Sequence, residues 1–381
     1  MDVTLFFKRY LLPGLVFQSV IIGGGYGTGR ELVEFFLSYG PAAGLAGMIL
    51  VSTVVFSAVA GVTFAFAHMA QTYDYRRFIR SLLGRGWVLY ELCYLTYMLI
   101  VLAVIAAAAG QISMELFGVP FYMGVIGILA AVGFVVLGGS RSVERVLATW
   151  SLVLYGFYLV LVVLAFRQFG GDIIAAIGES EFRDGWAFAG VRYAGYNLAI
   201  IPAILFVVRH IDSRKTGLIA GFVAGPVAMV PAVLLFLAMA GQYPEILDRP
   251  VPVNHVLEVI GSRFFQLTFQ LILFGTLVET GAGLIHAVNE RIAGVFTERG
   301  SELPRAWRSV SAVVLLLIGT GLSTFGIVNL IARGYGIVTY GFLAVFVLPI
   351  LTLGVYRVVS GRIEPATARP EAEAEEELVP R

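Results

Sequence analysis

From Leu11 onward the chain is a succession of long apolar runs separated by short polar stretches. A helix needs about 20 mostly apolar residues to cross roughly 30 Å of hydrocarbon, whereas the strands of a membrane barrel would be about 10 residues long and alternate. These runs are long and do not alternate, so they predict helices. Ten spans are expected: Leu11 to Tyr39, Ala42 to Gln71, Trp87 to Leu116, Phe121 to Leu137, Val146 to Phe169, Trp186 to Val208, Thr216 to Ala240, Phe264 to Val288, Val310 to Phe325 and Tyr335 to Val359. Charged residues make up 13% of the chain, about half the share in a soluble protein, which agrees with an all-α polytopic membrane protein. The 26 Lys and Arg against 25 Asp and Glu leave no positive excess for a nucleic-acid backbone, so the expected partners are the lipid bilayer and a small-molecule substrate. The single Cys93 cannot form a disulfide or a thiolate cluster within one chain.

Short cytoplasmic loops collect Lys and Arg. With the N-terminus inside, the loops that ten spans place inside carry seventeen basic residues, among them Arg9, Arg76, Arg80, Arg214 and Arg357. The opposite side carries five, beside acids such as Asp172, Glu245 and Asp248. Both termini are therefore expected in the cytoplasm of a bacterial or archaeal cell, with the first span retained as no signal peptide. Short surface helices are expected at Asp172 to Glu181, Pro244 to Ile260 and Tyr75 to Leu83. The organisation expected is two five-helix repeats, 1–170 and 171–361, followed by a disordered acidic tail, 362–381, whose final LVPR reads as an expression-tag remnant.

Two spans carry signals of interruption. The first contains Gly23-Gly24-Gly25-Tyr26-Gly27-Thr28-Gly29, five glycines in seven residues, followed by Arg30, Glu31 and Glu34. Each glycine costs a helix roughly 0.5–1 kcal/mol relative to alanine, so unwinding is expected there. Unwound backbone survives in a membrane only where protein or a polar cavity covers it, and charges at that depth default to a functional reading. Close helix packing through Gly23/Gly27 and Gly25/Gly29 is the structural alternative. A nucleotide loop is excluded, since neither glycine-rich phosphate register is present. Five spans later, Arg192-Tyr193-Ala194-Gly195-Tyr196-Asn197 with Pro202 predicts a second break, or alternatively a plain proline kink. Interruptions at equivalent places in two halves point to a transporter binding site at the bilayer midplane.

The stretch from Gly23 to Phe36, GGGYGTGRELVEFF, resembles the first span of the YkvI-type family of bacterial membrane proteins, where a G-A-G-F-A-S-G-Q-E run leads into a hydrophobic helix. Those proteins are similar to the amino acid–polyamine–cation superfamily of transporters with the LeuT fold. Gly24 and Gly27 stand where that run has Ala, and Arg30 stands where it has Gln, so substrate identity does not carry over. The resemblance implies a 5+5 inverted repeat with broken helices one and six. It also implies a cation site in which a carbonyl before the first break, at Val20, meets Thr276, Glu279 and Thr280 of span eight. The implied coupling ion is H+ or Na+, with Glu279 and Thr280 as the sodium ligands and no other cofactor.

Glu279 is the single acid in the middle of span eight, and a midplane carboxyl must be protonated, paired or wetted, which makes it a candidate proton carrier. That favours H+ over Na+. The structural alternative is a fixed pair with Arg30, Arg192 or His286, and the isolated His68 and His255 have no metal-ligand spacing. For an amino acid or related zwitterion, the half-helix starting near Thr28 would receive the carboxylate on backbone N–H groups around Gly23, Gly25, Tyr26, Gly27 and Gly29, beside Glu31. The amino group would meet carbonyls near Ala194 and Gly195 together with Asn197. Tyr97 of span three would close the site or else serve as a core aromatic. The expected function is cation-coupled symport of an amino acid by alternating access, with a small amine, osmolyte or nucleobase as the alternative substrate. A channel would need a continuous polar stripe, and an intramembrane enzyme would need a catalytic motif such as H-E-x-x-H; neither is present, so no enzyme is expected.

Overall fold

The computed structural model describes residues 3–137, 140–298 and 304–363, and among them every regular element is helical. The expected tail from residue 364 on, and Arg299 of an expected basic loop, lie outside the described residues. An all-helical answer follows from the solvent, because helices satisfy their own backbone groups where no water can. Seven described helical stretches are long and apolar enough to cross a membrane: Pro41–Ala70, Tyr75–Phe117, Tyr155–Glu179, Trp186–His210, Arg214–Ala240, Arg263–His286 and Ile327–Ser360. Two apolar helices, Phe121–Val136 and Ser309–Ser323, are shorter. The expected first span is absent from the seven because its helix is interrupted at Ile22.

The helices that position the site are α1 (Leu12–Ile21), the single turn α2 (Gly24–Gly27), α3 (Arg30–Phe35), α4 (Thr53–Ala70), α5 (Tyr75–Leu83), α6 (Trp87–Phe117), α7 (Phe121–Leu137), α8 (Ser140–Glu179), α9 (Trp186–Asn197), α10 (Arg214–Ala240), α11 (Pro252–Ile260), α12 (Arg263–Glu298) and α13 (Arg305–Ser323). A 3-10 helix, Leu198–His210, continues α9. The helix α1, α4, the 3-10 helix and α10 pack on one another, while α6, α7, α12 and α13 form a second group; α8 bridges the groups by touching both α10 and α12. Small residues set the closest approach. A Cβ at Gly217 would come within 2.9 Å of the Ala65 Cα, and Cβ atoms at Gly221 and Gly225 would collide with Gly61 and Ser57. This small-xxx-small stripe lets α10 lie backbone to backbone against α4, the packing that replaces a hydrophobic driving force inside lipid. Large apolar side chains such as Phe134, Leu317 and Ile337 point outward instead, forming the surface that a bilayer covers.

The two ends differ. At the basic end, Arg9 pairs with Asp212 at 2.6 Å, Arg214 donates to the Val358 carbonyl and Arg357 to that of Ser81. The acidic end carries α11 and a short 3-10 turn, Glu245–Asp248. Two of the expected surface helices are packed into the protein. In α5, capped by Asp74 accepting from the Arg77 N–H, Phe78, Ile79 and Leu82 are buried against α6 and the 3-10 helix, with Arg76 and Arg80 over Trp87. In α11, Val253, Asn254, Val256 and Leu257 are buried. Apolar spacing predicts that a helix has a covered side; it does not distinguish lipid from protein as the cover. The third, at Asp172 to Glu181, is the end of α8 beyond a non-helical Phe169.

Candidate functional site

The backbone leaves α1 at Ile22, where ψ is 86°, and the Gly23 N–H turns back to the Ile21 carbonyl at 2.9 Å. After the one turn of α2, Gly29 adopts the left-handed conformation with φ of 79° and caps α3. Close packing explains part of this run, at Gly27 and Gly29, while Gly25 and the left-handed backbone of Gly29 need glycine for local reasons. A Cβ at Gly25 would fall on the Glu31 carboxyl, one at Gly27 would approach the Leu273 Cδ1 to 2.5 Å, and one at Gly29 the Met239 Sδ to 2.6 Å. Thr28 is tied down on both sides of its residue: its hydroxyl donates to the Gly25 carbonyl, and its carbonyl accepts from the Val253 N–H of α11.

Glu31 is 3% exposed and is the chemical centre of this region. The Tyr196 hydroxyl donates to its Oε2 at 2.6 Å, and the backbone amide of Tyr26 interacts with the same carboxyl. Aromatic rings surround it. Tyr196 stacks on Tyr335 at 4.7 Å and lies 5.7 Å from Tyr193, 6.2 Å from Tyr97 and 5.5 Å from Phe35. The buried hydroxyls of Tyr26, Tyr158 and Tyr193 find no hydrogen-bond partner among the described residues. The expected residues Tyr26, Glu31 and Tyr97 therefore come together, joined by Tyr193, Tyr196, Tyr335 and Phe35. A signal for the first two exists, since Tyr193 and Tyr196 are three apart and share a helix face. Nothing local points to Tyr335, which arrives from the other end of the chain.

The second expected break looks different. Helix α9 passes into the 3-10 helix without leaving the right-handed region, and the Leu198 N–H takes the Ala194 carbonyl. The Asn197 side-chain amide donates to the Tyr193 carbonyl on its own helix, and a Cβ at Gly195 would meet Leu343 and Thr339. The Ala194 carbonyl expected to be freed is thus bonded within the helix, and the Asn197 amide N–H group is turned to its own helix. The freed acceptor lies further on. Pro202 has no N–H to give the Ala199 carbonyl, and the Tyr90 hydroxyl supplies the bond at 2.7 Å.

On α12, the Thr280 hydroxyl donates to the Thr276 carbonyl at 3.0 Å and reaches the Ile22 carbonyl at 3.5 Å. The carbonyl facing Thr280 is thus that of Ile22, at the point where the helix ends, in place of the expected Val20. Thr276 turns its hydroxyl to the Ile272 carbonyl. Glu279 is buried, within electrostatic range of Tyr155. Neither arginine weighed as its partner is directed to it. Arg30 donates to the carbonyls of Leu247 and Arg249 and pairs with Glu34 at 3.4 Å, while the Arg192 guanidinium lies 5.3 Å from the Phe35 ring. Ile22 and Thr280 offer only oxygen, which suits a hard cation, and no cluster of three or more metal-ligating side chains occurs among the described residues.

Around the acidic end, Arg30 and Thr28 fasten the break to the segment 247–253, and Asn254 of α11 continues to Glu115 at 2.6 Å. Gln111 of α6 bonds Glu115 at 2.7 Å, and Gln270 of α12 bonds Asn254. These hydrogen bonds tie the elements of the acidic end to one another, and at the basic end Arg9–Asp212 joins the turn before α1 to the turn before α10.

No family model matches the chain. Over 326 residues it is 25% identical to the membrane protein YkvI of Bacillus subtilis (strain 168), covering 83% of this chain and 91% of that one. Its structure is similar to MhsT solved with L-phenylalanine, with a TM-score of 0.61 and 14% identity over 91% of this chain and 96% of the other. It is also similar to Mhp1, a nucleobase-cation-symport-1 family transporter, in a closed conformation with bromovinylhydantoin bound: TM-score 0.53, 15% identity, 92% and 78% coverage. The sequence is YkvI-like and the fold is that of LeuT-type transporters.

Proposed function

Taking a YkvI-like sequence on a LeuT-type fold as the premise, we propose that this protein is a cation-coupled secondary transporter that carries a small amino acid or related amine across the cytoplasmic membrane by alternating access. The reading includes ten spans arranged as two inverted five-helix repeats, with the first span broken at Ile22. The observation that carries it is the buried Glu31 at an interrupted helix, beside which Thr280 reaches the Ile22 carbonyl. A hole in helical hydrogen bonding, filled by a carboxyl and watched by a hydroxyl from a distant helix, is a costly arrangement for packing alone and a natural one for binding.

Transport follows if the group containing α1, α4, the 3-10 helix and α10 rocks against the group containing α6 and α12. The Arg30 and Asn254 bonds at the acidic end then break and re-form, while Arg9–Asp212 at the basic end joins two parts of the first group and moves with it. Glu279 and Thr280 couple this motion to a cation, H+ in preference to Na+, because Glu279 is titratable and α12 touches the break. A cation drives the cycle only by binding one state better, and about 1.4 kcal/mol of preference shifts the ratio tenfold.

The test is uptake of labelled small amino acids and amines into proteoliposomes under imposed pH or sodium gradients. Concentrative uptake is expected, and Glu279→Gln is expected to abolish concentration against a gradient. Accumulation by E279Q equal to wild type at every pH and sodium concentration overturns the coupling role, and no uptake of any solute overturns the transporter reading.

A further inference from the structure

An amino acid offers two charges, and this site has a clear place for only one of them. The Tyr26 amide, on which a substrate carboxylate would rest, already faces the Glu31 carboxyl, and Gly25 leaves no room between them. An N–H can only donate, so the Tyr26 amide calls for an acceptor oxygen on Glu31, and the Tyr196 hydroxyl lies 2.6 Å from its Oε2. Among the described residues no Lys, Arg or His forms an ion pair with Glu31. Arg30, its neighbour in sequence, is turned to the carbonyls of Leu247 and Arg249, and the Arg192 guanidinium lies 5.3 Å from the Phe35 ring, its buried Nε without a hydrogen-bond partner among the described residues. A carboxylate entering beside this buried carboxyl is tolerated only if a proton is held between the two, whereas an ammonium group stabilises the ionised form of Glu31 and is attracted to it.

The walls agree with the charge. Tyr193, Tyr196, Tyr97 and Tyr335 bring ring faces and edges to within 4.7–6.2 Å of one another around the carboxyl. Ring faces attract ammonium groups, and the buried Tyr26 and Tyr193 hydroxyls supply oxygen acceptors that no described residue occupies. One carboxylate, acceptor hydroxyls and stacked aromatics together are the chemistry of ammonium recognition. We propose that Glu31 with Tyr26, Tyr193, Tyr196, Tyr97 and Tyr335 forms an ammonium subsite, and that the transported solute is a small organic amine recognised without an α-carboxylate. This rests on the transporter reading above and narrows its substrate class.

The experiment measures binding to the purified full chain in detergent by calorimetry, so that it does not depend on transport. Two matched sets of probes are used: phenethylamine, L-phenylalanine and 3-phenylpropionate, and isobutylamine, L-valine and isovalerate. At least one amine is expected to bind, about tenfold or more tighter than its amino acid, while its matched acid does not bind. Glu31→Gln is expected to weaken the amine about 100-fold, and Tyr196→Phe, which removes one hydroxyl and keeps the ring, about fivefold. Should E31Q fail to purify as a monodisperse species, Y196F and Glu31→Asp carry the same test. An amino acid that binds tighter than its amine, amine affinity within twofold of wild type in these variants, or no binding by either amine overturns the proposal. Amines that bind but are not taken up by proteoliposomes refute the transporter reading and leave the subsite intact. Uptake of amino acids with E31Q at the wild-type level refutes the subsite and leaves the transporter reading intact.

Discussion

The two places where helix-breaking residues gather, around Gly25 and around Pro202, meet opposite fates. At the first, the helix ends at Ile22 and restarts at Arg30 after a single turn. At the second, the chain stays wound and tightens into a 3-10 helix. Glycines open a helix when neighbours need the space a Cβ would occupy, and here Glu31, Leu273 and Met239 all do. Proline removes one donor, and a single hydroxyl on a neighbouring helix, from Tyr90, makes up the loss. Residues that permit a break therefore produce one only where the tertiary structure fills the gap with something other than the lost helical turn.

This contrast can be tested by placing methyl groups at both sites. Gly29→Ala forces a Cβ into a left-handed backbone against Met239 and is expected to cost about 1–3 kcal/mol, read as a fall in the thermal midpoint of the detergent-solubilised protein. Gly195→Ala keeps a right-handed backbone and meets the Leu343 and Thr339 side chains at 3.0–3.2 Å, so it is expected to cost about 1 kcal/mol, less than Gly29→Ala. Equal losses would show that the two sites are breaks of the same kind.

A second test addresses the repair at Pro202. Tyr90→Phe leaves the Ala199 carbonyl short of a donor and is expected to cost about 1–2 kcal/mol by the same measurement. Pro202→Ala restores an N–H nearby, so in the double variant the Tyr90 change is expected to cost measurably less. Additive effects would separate the hydroxyl from the proline.

The smallest effect is expected at the basic end. The Thr216 hydroxyl bond, with Arg9 nearby, holds the Asp212 carboxyl below the usual aspartate range. A depressed acid contributes stability that is present above its unfolded pKa of about 4 and is lost as pH falls through its folded value. Asp212→Asn should therefore lower the thermal midpoint by a small amount that stays constant between about pH 5 and 8, and the two proteins should converge only in more acid solution. A difference that changes across neutral pH would mean that another group controls this latch.

Much of the first region is legible in the sequence. Five glycines beside three charges inside an apolar run announce an interruption, and the acid that ends up at its centre, Glu31, is among them. Tyr97 is readable as a candidate by depth alone. The contact between α12 and the break is anticipated at Thr280, although its acceptor is Ile22 and not Val20. Less legible is what Arg30 does, because a residue one position from Glu31 projects to a different helix face, and only the folded chain brings Leu247 and Arg249 to meet it. At the second region, Ala194, Gly195 and Asn197 are read from an expected break, and the chain there stays wound, with Tyr90 supplying the donor that Pro202 lacks further on.

The sequence by itself determined that this chain is helical and belongs in a membrane, because apolar length and missing charge are properties of composition and spacing that any arrangement must respect. It also located the weak point of the first span, since glycine's cost to a helix is local. Only the tertiary structure decided which carboxyl faces the interrupted turn, which rings enclose it and where each arginine goes. Those outcomes depend on residues far apart in the chain, such as Glu31, Tyr196 and Tyr335, whose meeting is set by how the helices pack and by nothing in their immediate neighbours.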